Sequence, residues 1–175
     1  MRLILFLIIF LSFSKFYSQE NSYNIIANFD PNNRKIYIDQ YLEFYNKSKK
    51  SIEYLILNDW ANSYSTSNSK LGKRLSDEYI LSFQRSTKNQ RGYTLIDKIV
   101  HNNNNLDYRR LENNLDLIKI FLKKPLESNS SIKINIKYEI IIPIDDFTGY
   151  GINKSDDINI RDWYLTFAKI KSGKW

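Results

Sequence analysis

Ser131-Ile132-Lys133-Ile134-Asn135-Ile136-Lys137-Tyr138-Glu139-Ile140-Ile141-Ile142 alternates apolar and polar side chains almost without interruption, and Pro143 follows. Successive side chains of a strand point to opposite faces. Ile132, Ile134, Ile136, Tyr138, Ile140 and Ile142 therefore share one face, and Lys133, Asn135, Lys137 and Glu139 the other. Proline cannot donate to a ladder, so Pro143 ends the strand. Lys35–Tyr45 repeats the pattern: Ile36, Ile38, Leu42 and Phe44 point one way, with Gln40 interrupting them. Lys35, Tyr37, Asp39, Tyr41, Glu43 and Tyr45 point the other way. The tetrad Asp30-Pro31-Asn32-Asn33 before that strand is turn-forming, so residues 23–29 are expected to pair with it as a hairpin. Residues 52–57, 93–100, 115–122 (closed by Lys123-Lys124-Pro125) and 158–166 read as further strands. Leu71, Leu75, Tyr79, Ile80 and Phe83 recur at helical spacing instead, although Gly72 weakens the first turn. The Asn102–Asn105 run reads as a loop, because asparagine competes with regular backbone bonding. The expected fold is mainly β, an antiparallel β-sandwich or saddle-like sheet with one short helical insertion near 71–83.

Composition narrows the chemistry. The 175 residues contain no Cys, a single His (His101) and a single Met (Met1). This excludes a disulfide framework, a thiolate nucleophile, a thiolate-held zinc and a lipid-modified cysteine. It also excludes any site needing two imidazoles from this chain, a His-Glu-x-x-His zinc hydrolase among them. Aromatic residues at 15% and apolar residues at 42% argue for a folded core rather than disorder. The formal charge is +7, but the lysines are scattered and their densest cluster, Lys47, Lys49 and Lys50, sits in an expected turn. A solvated basic surface is the reading, with no nucleic acid as partner.

The chain opens with Arg2 and then an unbroken apolar run from Leu3 to Leu11. A membrane-spanning helix needs about 20 apolar residues, roughly twice that run. The segment fits a secretory signal over residues 1–18, cut near Gln19, which implies export to the periplasm or the extracellular space and no stable membrane span thereafter. Removing 18 of the 175 residues leaves 157, and the loss of Arg2 and Lys15 lowers the charge from +7 to +5. That length suits one domain, residues 19–175.

Five segments, taken in order, carry a resemblance. They are Leu57-Asn58-Asp59-Trp60-Ala61-Asn62-Ser63-Tyr64, Lys73-Arg74-Leu75-Ser76-Asp77-Glu78, Arg91-Gly92-Tyr93-Thr94, Pro143-Ile144-Asp145-Asp146-Phe147-Thr148-Gly149-Tyr150-Gly151, and Asp162-Trp163-Tyr164-Leu165-Thr166 with Gly173-Lys174-Trp175. Their order and spacing resemble the N-terminal β domain of secreted bacterial proteins of the aminopeptidase N family, zinc metallopeptidases of the gluzincin type. The resemblance implies a saddle-shaped β-sandwich that packs against a thermolysin-like catalytic domain. It implies no catalytic and no metal residue here: the family's His-Glu-x-x-His needs two imidazoles, and its Gly-x-Met-Glu-Asn motif needs an internal Met. The expectation is a non-catalytic leading portion of such an enzyme, incomplete at its C-terminal end. It would brace the catalytic domain, wall the substrate cleft and meet peptide substrate only indirectly. The expected cofactor of this chain is none, zinc belonging to the absent catalytic domain.

Other residues that invite a functional role have plainer readings. His101 precedes a run of Asn and has no expected partner, so it reads as a solvated loop residue. Tyr37, Tyr41 and Tyr45 form a candidate interdomain or ligand face, since a tyrosine ring offers an apolar face and a polar tip. Trp60 is expected to plug an edge of the core. Asp145-Asp146 and Asp156-Asp157 are adjacent pairs that would point oppositely on a strand, which makes a poor acid and base. Asn46, Asn129 and Asn153 head N-x-S sequons. The second expectation, from a different class, is a stand-alone exported β-sandwich that binds glycan or peptide through the tyrosine face.

Overall fold

The computed structural model describes residues 20–171 and Trp175; the expected signal segment 1–18 and Gly173-Lys174 of the fifth resembling segment lie outside them. In chain order the strands are β1 (Ser22–Asp30), β2 (Lys35–Tyr45), β3 (Ile52–Asn58), β4 (Tyr93–His101), β5 (Asn104–Asn105) and β6 (Tyr108–Leu111). They continue with β7 (Asn114–Leu126), β8 (Ser131–Ile141), β9 (Gly151–Ile152), β10 (Ile158–Asn159) and β11 (Thr166–Phe167), and α1 (Lys70–Asp77) lies between β3 and β4. One antiparallel sheet has the order β1-β2-β8-β4-β5, a second the order β11-β3-β7-β6, and β9 and β10 make a small ribbon. The two large sheets share one apolar core, as a mainly β, sandwich-like fold requires.

The alternation in β2 and β8 is realised side chain by side chain. The two strands pair antiparallel from Lys35↔Ile141 to Tyr45↔Ser131 without a shift. Ile36, Ile38, Leu42, Phe44, Ile132, Ile134, Ile136 and Ile140 are buried against Leu55, Leu57, Ile118 and Ile120 of the second sheet. Each such aliphatic side chain contributes about 1.5–3 kcal/mol relative to exposure, so these two strands supply much of the hydrophobic stabilisation. β1 pairs with β2 as the expected hairpin, Ser22↔Glu43 through Asp30↔Lys35. Its other edge is unpaired among the described residues.

Gln40, the interruption in the apolar face, is fully buried and has a task. Its Nε2 donates to the Leu165 carbonyl at 2.7 Å, and its Oε1 accepts from the Tyr138 hydroxyl at 2.5 Å and from the Leu165 amide at 3.3 Å. The chain before β11 is thereby tied into the core by a satisfied polar cluster rather than by a strand ladder. This corrects the expectation of one strand over 158–166. Only Ile158–Asn159 and Thr166–Phe167 are strand, and between them Asp162 takes a left-handed φ of 50°. Pro125 does not end β7 either. The ladder shifts register between Ile52↔Leu126 and Tyr54↔Phe121, and that irregularity leaves the proline with no donor to supply.

α1 begins at a capped turn, the Ser69 hydroxyl accepting from the Gly72 amide at 3.0 Å. It ends before Tyr79, whose φ of 60° breaks the helical path and leaves its ring 89% exposed. Leu75 and Phe83 still reach one interior, a satellite cluster with Tyr64, Phe147 and Tyr150. In it Tyr64 stacks on Tyr150 at 4.9 Å and Phe83 meets Phe147 edge-on at 4.9 Å.

A second buried polar cluster joins the two sheets. Asp59, 1% exposed, faces the Arg110 guanidinium at 2.8 Å and accepts from the Thr94 hydroxyl at 2.7 Å. The Asp59 Oδ2 contact is ionic rather than directional, because the guanidinium N–H does not point along it. Arg110 also donates to the carbonyls of Leu115 and Thr94. Burial pushes the Asp59 carboxyl above its ordinary range, with Arg110 and Thr94 pulling the other way.

Candidate functional site

The candidate site is the outer face of the first sheet. On β2 the inward positions are Ile36, Ile38, Gln40, Leu42 and Phe44, so the strand's pleat turns Tyr37 and Tyr41 to the outside. Tyr37 is 46% exposed and Tyr41 50% exposed. Tyr45 lies on the same face but is half-buried at its end, its hydroxyl donating to Asn129 at 3.4 Å. The structure thus brings Tyr37 and Tyr41 together as an open surface and leaves Tyr45 at the margin.

Register supplies the neighbours. Ile26 of β1 pairs with Asp39, and Leu95 of β4 pairs with Glu139 of β8. Both side chains point outward, 56% and 47% exposed. A groove of about 530 Å³ runs between Ile26 and Tyr37 on one bank and Leu95 on the other, with Asp39, Lys137 and Glu139 on its floor. One rung further on, Tyr41 borders a second open depression with Asn24, Val100 and Asn135. The floor charges are largely cancelled: Lys35–Glu139 at 2.9 Å, Lys137–Asp39 at 3.3 Å and Lys133–Glu43 at 3.6 Å. Asn135 also donates to Asp39. Asp97, at the groove's rim, has no ion pair among the described residues. Large exposed apolar side chains from three strands, with paired charges on the floor between them, make the kind of patch that marks a contact surface.

The other candidates disperse. His101 is the last residue of β4, not a loop residue, and its Nδ1 contacts the Lys133 carbonyl at 2.8 Å. No group of three or more His, Cys, Asp or Glu among the described residues is arranged to hold a metal. Asp145 and Asp146 lie in a short 3-10 turn with Phe147. Asn46 is fully buried, its amide donating to the carbonyls of Lys50, Leu126 and Glu127, so that sequon is sealed. Trp60 does not plug the core; it stands 55% exposed on the 3-10 turn after β3. No helix among the described residues is long and apolar enough to cross a membrane.

Ile26 and Leu95 escaped the reading of the sequence. Ile25-Ile26 places one isoleucine on each face, and only the register with β2 shows which one is outside. The parity of residues 93–96 was the available signal for Leu95, since Thr94 and Ile96 face the core. No model of a known protein family matches the chain, and no curated protein matches it.

Proposed function

We propose that this chain is a non-catalytic β domain that works by docking its outer sheet face against another protein surface. In the architecture it resembles, that surface belongs to the catalytic domain of an aminopeptidase N-like zinc metallopeptidase, which the domain braces and whose substrate cleft it helps to wall. The observation that carries the reading is the exposed set Ile26, Tyr37, Tyr41 and Leu95 on one sheet face with its floor charges already paired. Such a face gains little from water and loses little on being covered. The lone His101 is consistent with this reading, since a His-Glu-x-x-His site needs two imidazoles. The test is to read the gene past the codon for Trp175 and to express whatever frame follows. An open frame encoding His-Glu-x-x-His, with peptidase activity that falls at least tenfold in Tyr37→Ser/Leu95→Ser, supports the proposal; a stop codon, or activity indifferent to that variant, sinks it.

The second reading, a stand-alone exported module for glycan or peptide, draws on the open groove of about 530 Å³ between Tyr37 and Leu95. It expects the isolated chain to retain a ligand on that face, measured as protection of Tyr37 and Tyr41 from nitration by tetranitromethane.

A further inference from the structure

A second concavity lies away from the outer sheet face, where the 3-10 turn after β3, α1 and the chain between β10 and β11 converge. It measures about 290 Å³ and is lined by Trp60, Tyr64, Tyr150, Arg74, Arg161 and Asp162, with Thr148 at its wall. Its back is rigid: Tyr64 and Tyr150 are 8% and 7% exposed, lie stacked 10° from parallel, and Tyr64 Oη is 2.7 Å from Thr148 Oγ1. Three of its polar side chains, by contrast, have hydrogen-bonding capacity to spare. The Tyr150 hydroxyl makes no hydrogen bond among the described residues and opens toward the cavity, although most of its ring is covered. Arg161 has neither an ion pair nor a hydrogen bond among the described residues, and it is exposed at the rim. Arg74 gives only its Nε to Glu78, across 3.6 Å between two exposed side chains, which leaves its terminal nitrogens free. Solvent-accessible guanidiniums and a free hydroxyl converging beside an exposed indole are what a ligand pocket offers.

From this we infer that the cavity binds a sugar ring carrying a carboxylate, a uronate. The indole face of Trp60 suits the apolar C–H face of a sugar, and the guanidiniums of Arg74 and Arg161 suit a planar carboxylate, which they can meet with paired N–H donors. Asp162 and the Tyr150 and Thr148 hydroxyls then accept from or donate to ring hydroxyls. The lining charge, two arginines against one aspartate, matches a monoanion. A neutral sugar would leave the arginines unanswered, and a zwitterionic amino acid would bring no net charge to a cationic site. A volume of about 290 Å³ holds one such ring and leaves a polysaccharide to continue outward.

The experiment uses the full chain with sodium D-glucuronate, D-glucose and L-phenylalanine as probes, read by saturation-transfer NMR and by titration of tryptophan fluorescence. Glucuronate should bind at least about tenfold more tightly than either of the others and weaken several-fold when salt rises from about 50 to about 500 mM. Arg161→Gln should keep the wild-type thermal melt, because Arg161 holds nothing in place, and lose at least about tenfold in glucuronate affinity. Trp60→Ala should abolish saturation transfer to the ring protons. Glucose binding as well as glucuronate, phenylalanine binding better, an Arg161→Gln variant with unchanged affinity, or no binding of glucuronate to the folded chain would each overturn the assignment.

Discussion

Removing Arg110 should damage the protein far more than removing the charge of its partner. In Arg110→Met the Asp59 carboxylate, 1% exposed, keeps only the Thr94 hydroxyl and the Asn62 amide. In Asp59→Asn the guanidinium, 22% exposed, still donates to the carbonyls of Leu115 and Thr94 and still touches water. Breaking a buried pair so that a charge is stranded costs about 3–5 kcal/mol, whereas losing one partner of a group that stays hydrogen-bonded costs about 1–3 kcal/mol. With a urea m-value of roughly 2 kcal/mol/M, the midpoint should fall by about 1.5–2.5 M for Arg110→Met and by about 0.5–1.5 M for Asp59→Asn. The double variant should cost less than the two singles together, since each removes what the other strands. Acidity adds a second axis. Burial raises the folded-state pKa of Asp59 above its unfolded value, so the folded protein takes up this proton first as pH falls. Stability held back by the ionised carboxylate at neutral pH is regained below the folded pKa. Without Arg110 that pKa rises further, so the deficit of Arg110→Met should shrink as pH is lowered from about 7.5 to about 5. Equilibrium urea curves at both pH values test this. A larger midpoint loss for Asp59→Asn than for Arg110→Met, or a deficit that widens in acid, would refute the reasoning.

Gln40→Leu should cost about 1–3 kcal/mol and speed amide exchange at Leu165, because the Leu165 carbonyl loses its donor; unchanged protection there would count against the tether. Gly151→Ala should destabilise by more than about 2 kcal/mol, visible as a lower melting temperature, since a Cβ would stand 2.3 Å from the Pro143 carbonyl oxygen at a φ of 140°. Tyr41→Ala should leave stability within about 0.5 kcal/mol of the parent, as expected of an exposed ring, while any association through the outer face weakens. The purified 175 residues should hydrolyse no aminoacyl-arylamide and retain no stoichiometric zinc after dialysis, as metal analysis and a chromogenic assay would measure.

What could be read from the sequence is what period two encodes. The faces of Lys35–Tyr45 and of the Ile-rich strand, the hairpin at Asp30-Pro31-Asn32-Asn33 and the shared side of Tyr37 and Tyr41 all follow from local alternation and turn chemistry. What could not be read depends on partners distant in the chain. Gln40 looks like a flaw in an apolar face until Leu165 and Tyr138 arrive beside it. Residues 158–166 read as a strand because nothing local says that Gln40 will pull Leu165 inward and that Asp162 will turn the chain. The helical stripe extends to Phe83 in pattern, yet the helix stops at Asp77, because Phe83 reaches the same interior through turns. Trp60 shows the limit most plainly: hydrophobicity cannot say whether a large ring in a loop closes a core or opens a cavity.

The central ladder, β2 on β8, pairs Gln40 with Ile136; the Tyr138 hydroxyl meets the Gln40 side chain across 98 residues, and Gln40 reaches Leu165 across 125. No local contact can substitute for it. At ribosomal rates of roughly 5–20 residues per second, the β1–β2 hairpin must wait several seconds or longer after emerging before its isoleucine-lined side finds the strand that covers it. During synthesis the β1–β2 hairpin is therefore without its covering strand for seconds, an interval in which a holding chaperone can bind its apolar side.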